Sequence, residues 1–310
     1  MRVLLTGATG FIGSQVARVL VGAGCDVHAL VRPGAGRDRI AGLESELTVI
    51  EGDLASIADA GVLRRLAPEV CIHLAWYAEP GSYLHAVHEN LASLRTSLDL
   101  VEALAAAGCR RLVAAGTCAE YGFPAGRTPL DEDTPLRPAT PYARAKAALF
   151  LSAQDVAAQA GMEFAWARLF FLYGPGEHPA RVVPSAVLAC LRGEAFPATA
   201  GEQVRDYLHV ADAASALRAV AASGLVGPVN VCSGEGVTLR SVLQAVEAAS
   251  GSRGTIRYGE LPYRAGEWMW MRGTNARLLG TGWRPRFSLE TGIAETVTWW
   301  RERVATILKS

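Results

Sequence analysis

Met1-Arg2-Val3-Leu4-Leu5-Thr6-Gly7-Ala8-Thr9-Gly10-Phe11-Ile12-Gly13 is the stretch whose reading decides the fold. Residues 2–6 form a short apolar run that reads as a buried strand. A glycine-rich turn follows at once. Beyond it, Phe11, Ile12, Val16, Val19 and Leu20 recur at helical spacing, and Gly22 and Gly24 end that helix. Strand, glycine turn and helix together present backbone N–H groups and a helix N-terminus to a phosphate. Gly7 permits the tight turn, Gly10 lets the backbone approach a pyrophosphate, and Gly13 lets the helix pack close to the strand. The same spacing also suits a turn that binds nothing. Its place between a clear strand and a clear helix points to a dinucleotide, with Gly7, Thr9, Gly10, Phe11, Ile12 and Gly13 as the expected contacts.

The bulk numbers bound what surrounds this turn. A chain of 310 residues suits one large α/β domain, or a large and a small one. Half the residues are hydrophobic and 19% are charged, as in soluble globular proteins. With 30 basic and 30 acidic residues the formal net charge is zero, which argues against nucleic acid and anionic membrane as partners. No apolar run is long enough to span a bilayer. The N-terminus is already strand and turn, so no signal peptide is expected. Cys25, Cys71, Cys109, Cys118, Cys190 and Cys232 lack metal-like spacing. They read as buried thiols in a reducing cytoplasm, and no metal site is expected.

Outward from the turn, residues 26–31 read as the second strand, 47–50 as the third, 70–75 as the fourth and 111–115 as the fifth. A long helical pattern fills 84–107, with Leu84, Val87, Leu91, Leu94, Leu98, Val101 and Leu104 on one face. This alternation predicts a doubly wound, Rossmann-type α/β fold with a parallel sheet. Beyond residue 170 it becomes irregular, which predicts a smaller, discontinuous C-terminal substrate lobe. The expected division is 1–170 for the dinucleotide-binding domain, with a returning contribution from about 204–235, and 171–310 mainly for the lobe. The second strand ends in Arg32, where an acidic residue would bind the ribose 2′-hydroxyl of NAD. Arg37 and Arg39 are close by. A guanidinium grips a 2′-phosphate by bidentate hydrogen bonds, so NADP is expected over NAD.

Two further pieces carry the chemistry. Gly116-Thr117-Cys118-Ala119-Glu120-Tyr121-Gly122 follows the fifth strand, and Pro141-Tyr142-Ala143-Arg144-Ala145-Lys146 starts a helix running to about residue 160. Thr117 falls at the carboxyl end of a parallel strand, where such sheets place their sites. Tyr142 and Lys146, four residues apart, share one helix face. A phenol with an ordinary pKa of about 10 is a poor acid–base at neutral pH. An ammonium one turn away, with the positive charge of an oxidised nicotinamide, is expected to lower it. Thr117 would donate to a substrate oxygen as negative charge develops there.

The G-x-x-G-x-x-G turn, Thr117 and Y-x-x-x-K at these intervals resemble the short-chain dehydrogenase/reductase superfamily, in its extended, nucleotide-sugar-modifying branch. The resemblance covers nearly the whole chain. It implies catalytic roles for Thr117, Tyr142 and Lys146, with Tyr142 and Lys146 also touching the cofactor. Asp53 and Leu54 would lie beside the adenine, although Asp53 also reads as a helix N-cap. Leu74 and Ala75, after His73, would line the cofactor diphosphate and nicotinamide ribose, with His73 itself structural. Asn90 would brace the active-site strands. Leu169-Phe-Phe-Leu-Tyr173-Gly-Pro-Gly176 and Val204-Arg205-Asp206-Tyr207-Leu208-His209-Val210-Ala211-Asp212 match later family segments. From these and from Arg264, the expected substrate contacts are Arg181, Arg205 and Arg264. An alternative for Arg205 is pairing with Asp206 or Asp212.

Dehydratases of this family carry an acidic pair after the threonine, where this chain has Cys118 and Ala119. The 3,5-epimerase-reductases place a cysteine at the position of Ala119 and a histidine at that of Arg181. What remains is NADPH-dependent reduction of a nucleotide-linked 4-keto-6-deoxy sugar or, as the alternative, a nucleotide-sugar 4-epimerase retaining NAD. A non-catalytic dinucleotide-binding redox sensor is a third reading, opposed by the presence of both Tyr142 and Lys146. The resemblance further implies a homodimer through a four-helix interface built from the helices near 84–107 and 138–160.

Overall fold

A computed structural model describes residues 1–43, 45–124, 126–252 and 255–307. In chain order the first half runs β1 (Arg2–Thr6), α1 (Phe11–Gly22), β2 (Asp26–Val31), β3 (Leu47–Glu51), α2 (Leu54–Ile57), α3 (Ala60–Leu66), β4 (Val70–His73), α4 (Val87–Ala107), β5 (Arg111–Thr117), α5 (Pro141–Ala160) and β6 (Glu163–Leu169). The second half runs β7 (Phe171–Tyr173), α6 (Val182–Arg192), β8 (Phe196–Ala198), β9 (Val204–Arg205), β10 (Tyr207–His209), α7 (Val210–Ala222), β11 (Gly227–Val231), β12 (Val237–Thr238), α8 (Leu239–Ser250), β13 (Ile256–Tyr258), β14 (Trp270–Met271), α9 (Ala276–Leu279) and α10 (Leu289–Ile307).

Seven strands form one parallel sheet in the order β11-β6-β5-β4-β1-β2-β3. The order reverses at β1, so the crevice of a doubly wound sheet opens above the carboxyl ends of β1 and β4. Every residue of β4 and β5 is buried, as expected of strands covered on both faces. Alternation along β1 sends Val3 and Leu5 into a core with Val16 and Leu20 of α1 and Ala213 and Leu217 of α7. Leu4 points the other way, to Leu63, Leu100, Leu104, Leu149 and Phe150. A separate apolar core, with Val183, Val187, Val242, Leu243, Ile293 and Val297, holds α6, α8 and α10 together. Among the described residues, no helix is long and apolar enough to cross a membrane, no cluster could hold a metal ion, and all six cysteines are free thiols.

Several boundaries differ from the sequence expectation, β3 and β5 running on to Glu51 and Thr117. The fourth strand stops at His73 rather than 75, because the N–H groups of Leu74 and Ala75 turn to Thr6 Oγ1, each at 3.2 Å. The long helix starts at Val87 rather than 84, because the preceding residues form turns, Ser82 and Tyr83 N–H onto Glu79 O and His85 and Ala86 N–H onto Ser82 O.

Candidate active site

The glycine turn closes tightly. Gly7 has φ +74°, and Gly10 N–H donates to Gly7 O at 3.0 Å. A Cβ on Gly7 would stand 2.9 Å from Ala75 N, and one on Gly13 only 2.0 Å from Gly7 O. These two glycines are therefore required by the approach of β4 and by the packing of α1 on its own turn. Gly10 caps α1 without a side-chain acceptor, and no acidic residue stands in the first turn. Asp53, Thr140 and Thr238 cap α2, α5 and α8, while α4 and α6, like α1, start without a side-chain cap. The uncapped first turn of α1 thus offers free N–H groups and the positive end of the helix dipole, which fits a diphosphate.

The strand ends behind this turn are locked by a buried relay. Thr6 Oγ1 accepts from Leu74 and Ala75, so its O–H donates to His73 Nδ1 at 2.7 Å, and His73 Nε2 then donates to Ser97 Oγ at 2.9 Å. Burial pushes the His73 imidazole down to about 3, with the Lys146 charge adding to the effect. His73 is a neutral structural residue at working pH.

At the end of β2, Arg32 is exposed and its side chain has no partner among the described residues. Its two neighbours are engaged. Arg37 pairs with Glu51, and Arg39 donates to Gly176 O at 3.1 Å and, at longer range, to Thr9 O at 3.5 Å. Asp53 caps α2 in a reciprocal box with Ser56, at 2.8 and 2.9 Å, which holds its carboxyl below the ordinary value. Leu54 begins that helix.

Thr117 ends β5. Its Oγ1 accepts from Ala119 N–H at 3.2 Å, and its own N–H donates to Glu120 Oε1 at 2.8 Å. Glu120 is wholly buried, accepts from Trp166 Nε1 at 3.0 Å and is paired with Arg168 at 3.0 Å. Arg168 also donates to Tyr121 Oη at 3.0 Å. Trp166 and Glu120 lie so close over Gly116 that a Cβ there would be 2.3 Å from the indole.

The helix bearing Tyr142 and Lys146 starts where Thr140 accepts from Ala143 N–H at 3.2 Å, with Pro141 in its first turn. The Tyr142 phenol lies near enough to the Thr117 side chain for the hydroxyl to favour its ionised form. Lys146 reaches Ala115 O at 2.8 Å. The three catalytic candidates therefore meet at the carboxyl end of the sheet. Around them, the Tyr83 ring stands edge-on to Tyr142 at 5.0 Å, and Trp76 does the same at 6.4 Å. Tyr83 in turn carries the Arg181 guanidinium 4.9 Å above its face.

The electrostatics depart from the expectation of a lowered phenol. Burial pushes Tyr142 above its ordinary value, and the neighbouring Thr117 side chain offsets only part of this. Burial also pulls Lys146 down to about 7, against the favourable charge of Glu120. The protein's own groups thus do not make a phenolate, and the shift in that direction must come from a positive charge brought by the cofactor. Cys118, next to Thr117, is pushed up to about 12 by burial and is no nucleophile at neutral pH.

The substrate arginines fall in different places. Arg181 joins the Tyr142 cluster through Tyr83. Arg205 lies over Phe171 at 4.7 Å, and Phe171 packs in the same apolar cluster as Cys118. Arg205 pairs with Glu267 rather than with either aspartate. Asp206 is occupied by the N–H groups of Ser233, Gly234 and Gly273, and Asp212 by those of Arg286 and Phe287. Arg264 is exposed, with no side-chain partner among the described residues. Asn90 does not brace strands. Its side chain receives the Trp76 indole N–H at 2.8 Å and donates to Tyr83 O and Ala86 O, both at 2.7 Å. Sequence reasoning missed Trp76, Tyr83 and Glu177. The last keeps a buried carboxyl oxygen without a partner and is pushed up to about 8 by burial. The aromatic pair Trp76-Tyr77 directly after the strand end was the available signal for the first.

The family model described as "NAD dependent epimerase/dehydratase family" matches residues 3–232. The low-salt glycan biosynthesis protein Agl12 of Haloferax volcanii is 30% identical over 97% of this chain and 98% of its own. A dTDP-glucose 4,6-dehydratase of Streptomyces griseus is 31% identical over 96% and 94%. Among solved structures, the UDP-glucose 4-epimerase of Thermus thermophilus, in complex with NAD, superposes with a TM-score of 0.84 at 30% identity, covering 97% of this chain and 99% of that one.

Proposed function

Because the chain belongs to the NAD dependent epimerase/dehydratase family, we propose that it reduces a nucleotide-linked 4-keto-6-deoxy sugar with NADPH. The observation that carries this reading is the meeting of Thr117, Tyr142 and Lys146 at the sheet end, with Arg32 exposed and without a side-chain partner among the described residues at the end of β2, where dinucleotide folds place the group that meets the ribose 2′-position. Gly7, Thr9, Gly10, Phe11, Ile12 and Gly13 hold the diphosphate, Leu74 and Ala75 border it, Asp53 and Leu54 lie by the adenine, and Arg32 grips the 2′-phosphate. The cofactor supplies the hydride. Thr117 donates a hydrogen bond to the carbonyl oxygen, Tyr142 delivers the proton that completes the alcohol, and Lys146 holds the nicotinamide ribose. The substrate occupies the lobe formed mainly by 171–310, with its phosphates toward Arg205 and Arg264 and its sugar toward Arg181. Cys118 and Ala119 supply no acid or base for loss of water. The free thiols suit a reducing compartment, the cytoplasm.

The direct test mixes enzyme, NADPH and a nucleotide 4-ketosugar and follows the NADPH absorbance band, which should fall with stoichiometric deoxysugar formation. NADH should serve less well. Arg32→Glu should cut the NADPH preference about 10- to 100-fold, the weight of a charge-assisted hydrogen bond. Faster turnover with NADH than with NADPH would overturn the cofactor assignment. The second reading, a 4-epimerase with retained NAD, is favoured by the epimerase relative solved with NAD. It is the outcome if sugars interconvert with no net change in cofactor.

The same fold argues for a homodimer. α4 and α5 pack side by side and leave Val87, Leu91 and Leu151 exposed at 48%, 40% and 58%. A second copy would cover them as a four-helix interface. Sedimentation at micromolar concentration should give a dimer, and Leu151→Glu a monomer. A monomeric wild type would remove the proposal.

A further inference from the structure

We propose that Trp76 is a positioning residue for Lys146, holding its ammonium charged and aimed by a cation–π contact. This rests on the reading of Lys146 as the residue that holds the nicotinamide ribose. The Lys146 Nζ stands 3.8 Å from the centre of the Trp76 ring, well inside the range of that interaction. The indole cannot swing away, because its N–H is held by Asn90 Oδ1 at 2.8 Å. Asn90 also ties down Tyr83 O and Ala86 O, so one amide fixes the whole connection between β4 and α4 against the catalytic helix. Tyr142 N–H closes the same contact by donating to Leu84 O at 3.3 Å.

The ammonium has three N–H groups. One goes to Ala115 O at 2.8 Å, and the Trp76 face covers another side. No further acceptor for Nζ stands among the described residues, so one N–H is left for a ribose hydroxyl. The surroundings make the charge hard to keep. Lys146 is buried, and burial pulls it down to about 7. The charged and titratable groups facing it are few. Glu120 on the turn after β5 favours the ammonium, but its charge is shared with Arg168. His73 on β4 is neutral, and Tyr142 lies one turn away on its own helix. Trp166 presents a second ring at 5.9 Å, at the outer limit of the same interaction and much farther than Trp76. An aromatic face at 3.8 Å in a desolvated site is the remaining group able to stabilise the cation.

The sign follows from the charge. Losing the ring favours the neutral amine, so the pKa of Lys146 falls further and the functional, cationic form is lost at lower pH as pH rises. The experiment measures kcat/KM for the ketosugar at saturating NADPH, and the dissociation constant of NADPH, across the neutral and alkaline range in wild type, Trp76→Leu and Trp76→Phe. In Trp76→Leu the alkaline limb of both profiles should move about one pH unit toward acid. Below that limb the variant should retain activity within a few-fold. Trp76→Phe, which keeps a weaker face and removes less volume, should lie between. A loss by one constant factor at every pH, with the limb unmoved, would show Trp76 to be packing only and overturn the inference, as would an unchanged profile. If wild type turns over no sugar, the proposed function fails on its own, and the pH dependence of NADPH binding still decides the role of Trp76. If Trp76→Leu does not fold, Trp76→Phe carries the same comparison.

Discussion

Tyr142→Phe should lower turnover by roughly 10²–10⁴-fold, the usual weight of a positioned general acid–base, and leave NADPH binding within a few-fold. The substitution removes one oxygen and nothing else. The Phe ring keeps its edge contacts with Tyr83 at 5.0 Å and Trp76 at 6.4 Å, so the local packing survives. What is lost is the hydroxyl that lies near Thr117. The stability cost should be on the order of 1 kcal/mol, at most that of one hydrogen bond. On the proposed reading most cofactor contacts come from the turn at 7–13 and from Lys146, and the substitution removes only the Tyr142 hydroxyl from that set. Stopped-flow NADPH oxidation and a fluorescence titration of bound NADPH separate the two effects. Unchanged turnover would remove Tyr142 from the mechanism. A parallel loss of cofactor binding would mean that the ring contributes through the hydroxyl to the cofactor site as well as to the chemistry.

That Tyr142 could be singled out from the sequence has a physical cause. Local patterns report local structure, and the parts of this chain that are local were legible. Strand periods, the glycine turn, Asp53 capping α2 and the four-residue spacing of Tyr142 and Lys146 all depend on neighbours within one or two turns. The seven-strand parallel sheet followed from the alternation of strands and helices. What was hidden depends on residues brought together across the sheet. Nothing in the segment around Trp76 says that its indole will lie over Lys146, seventy positions later. Asn90 was read as a brace for strands, and instead it clamps the loop that carries Trp76 and Tyr83. Arg205 was weighed against the aspartates beside it, and its partner is Glu267, 62 residues away. The lowered phenol was expected from charge alone. Burial, a property of the whole fold, outweighs it.

Arg168→Met should destabilise the protein by about 3–5 kcal/mol, the range for breaking a buried ion pair from one side. Glu120 is 0% exposed and Arg168 2%, so neither can turn to water when its partner is removed. With Met at 168, the Glu120 carboxylate keeps the N–H groups of Thr117 and Trp166 but loses its directly paired cation. The phenol of Tyr121 loses its guanidinium donor at 3.0 Å and keeps only Asn230 at 2.8 Å. A drop in the urea midpoint at constant slope would report this loss. Adding Glu120→Met to the same chain should restore much of the stability, because an apolar pair of similar volume removes the desolvated charge. Activity should not return with it. Glu120 Oε1 is the acceptor that fixes the backbone of Thr117 at the end of β5, and the double variant supplies none. Recovered folding with turnover still depressed would separate the two roles of this ion pair, one in the core and one in placing Thr117, the proposed hydrogen-bond donor to substrate. An Arg168→Met protein that unfolds at the wild-type midpoint would show that the pair contributes to neither.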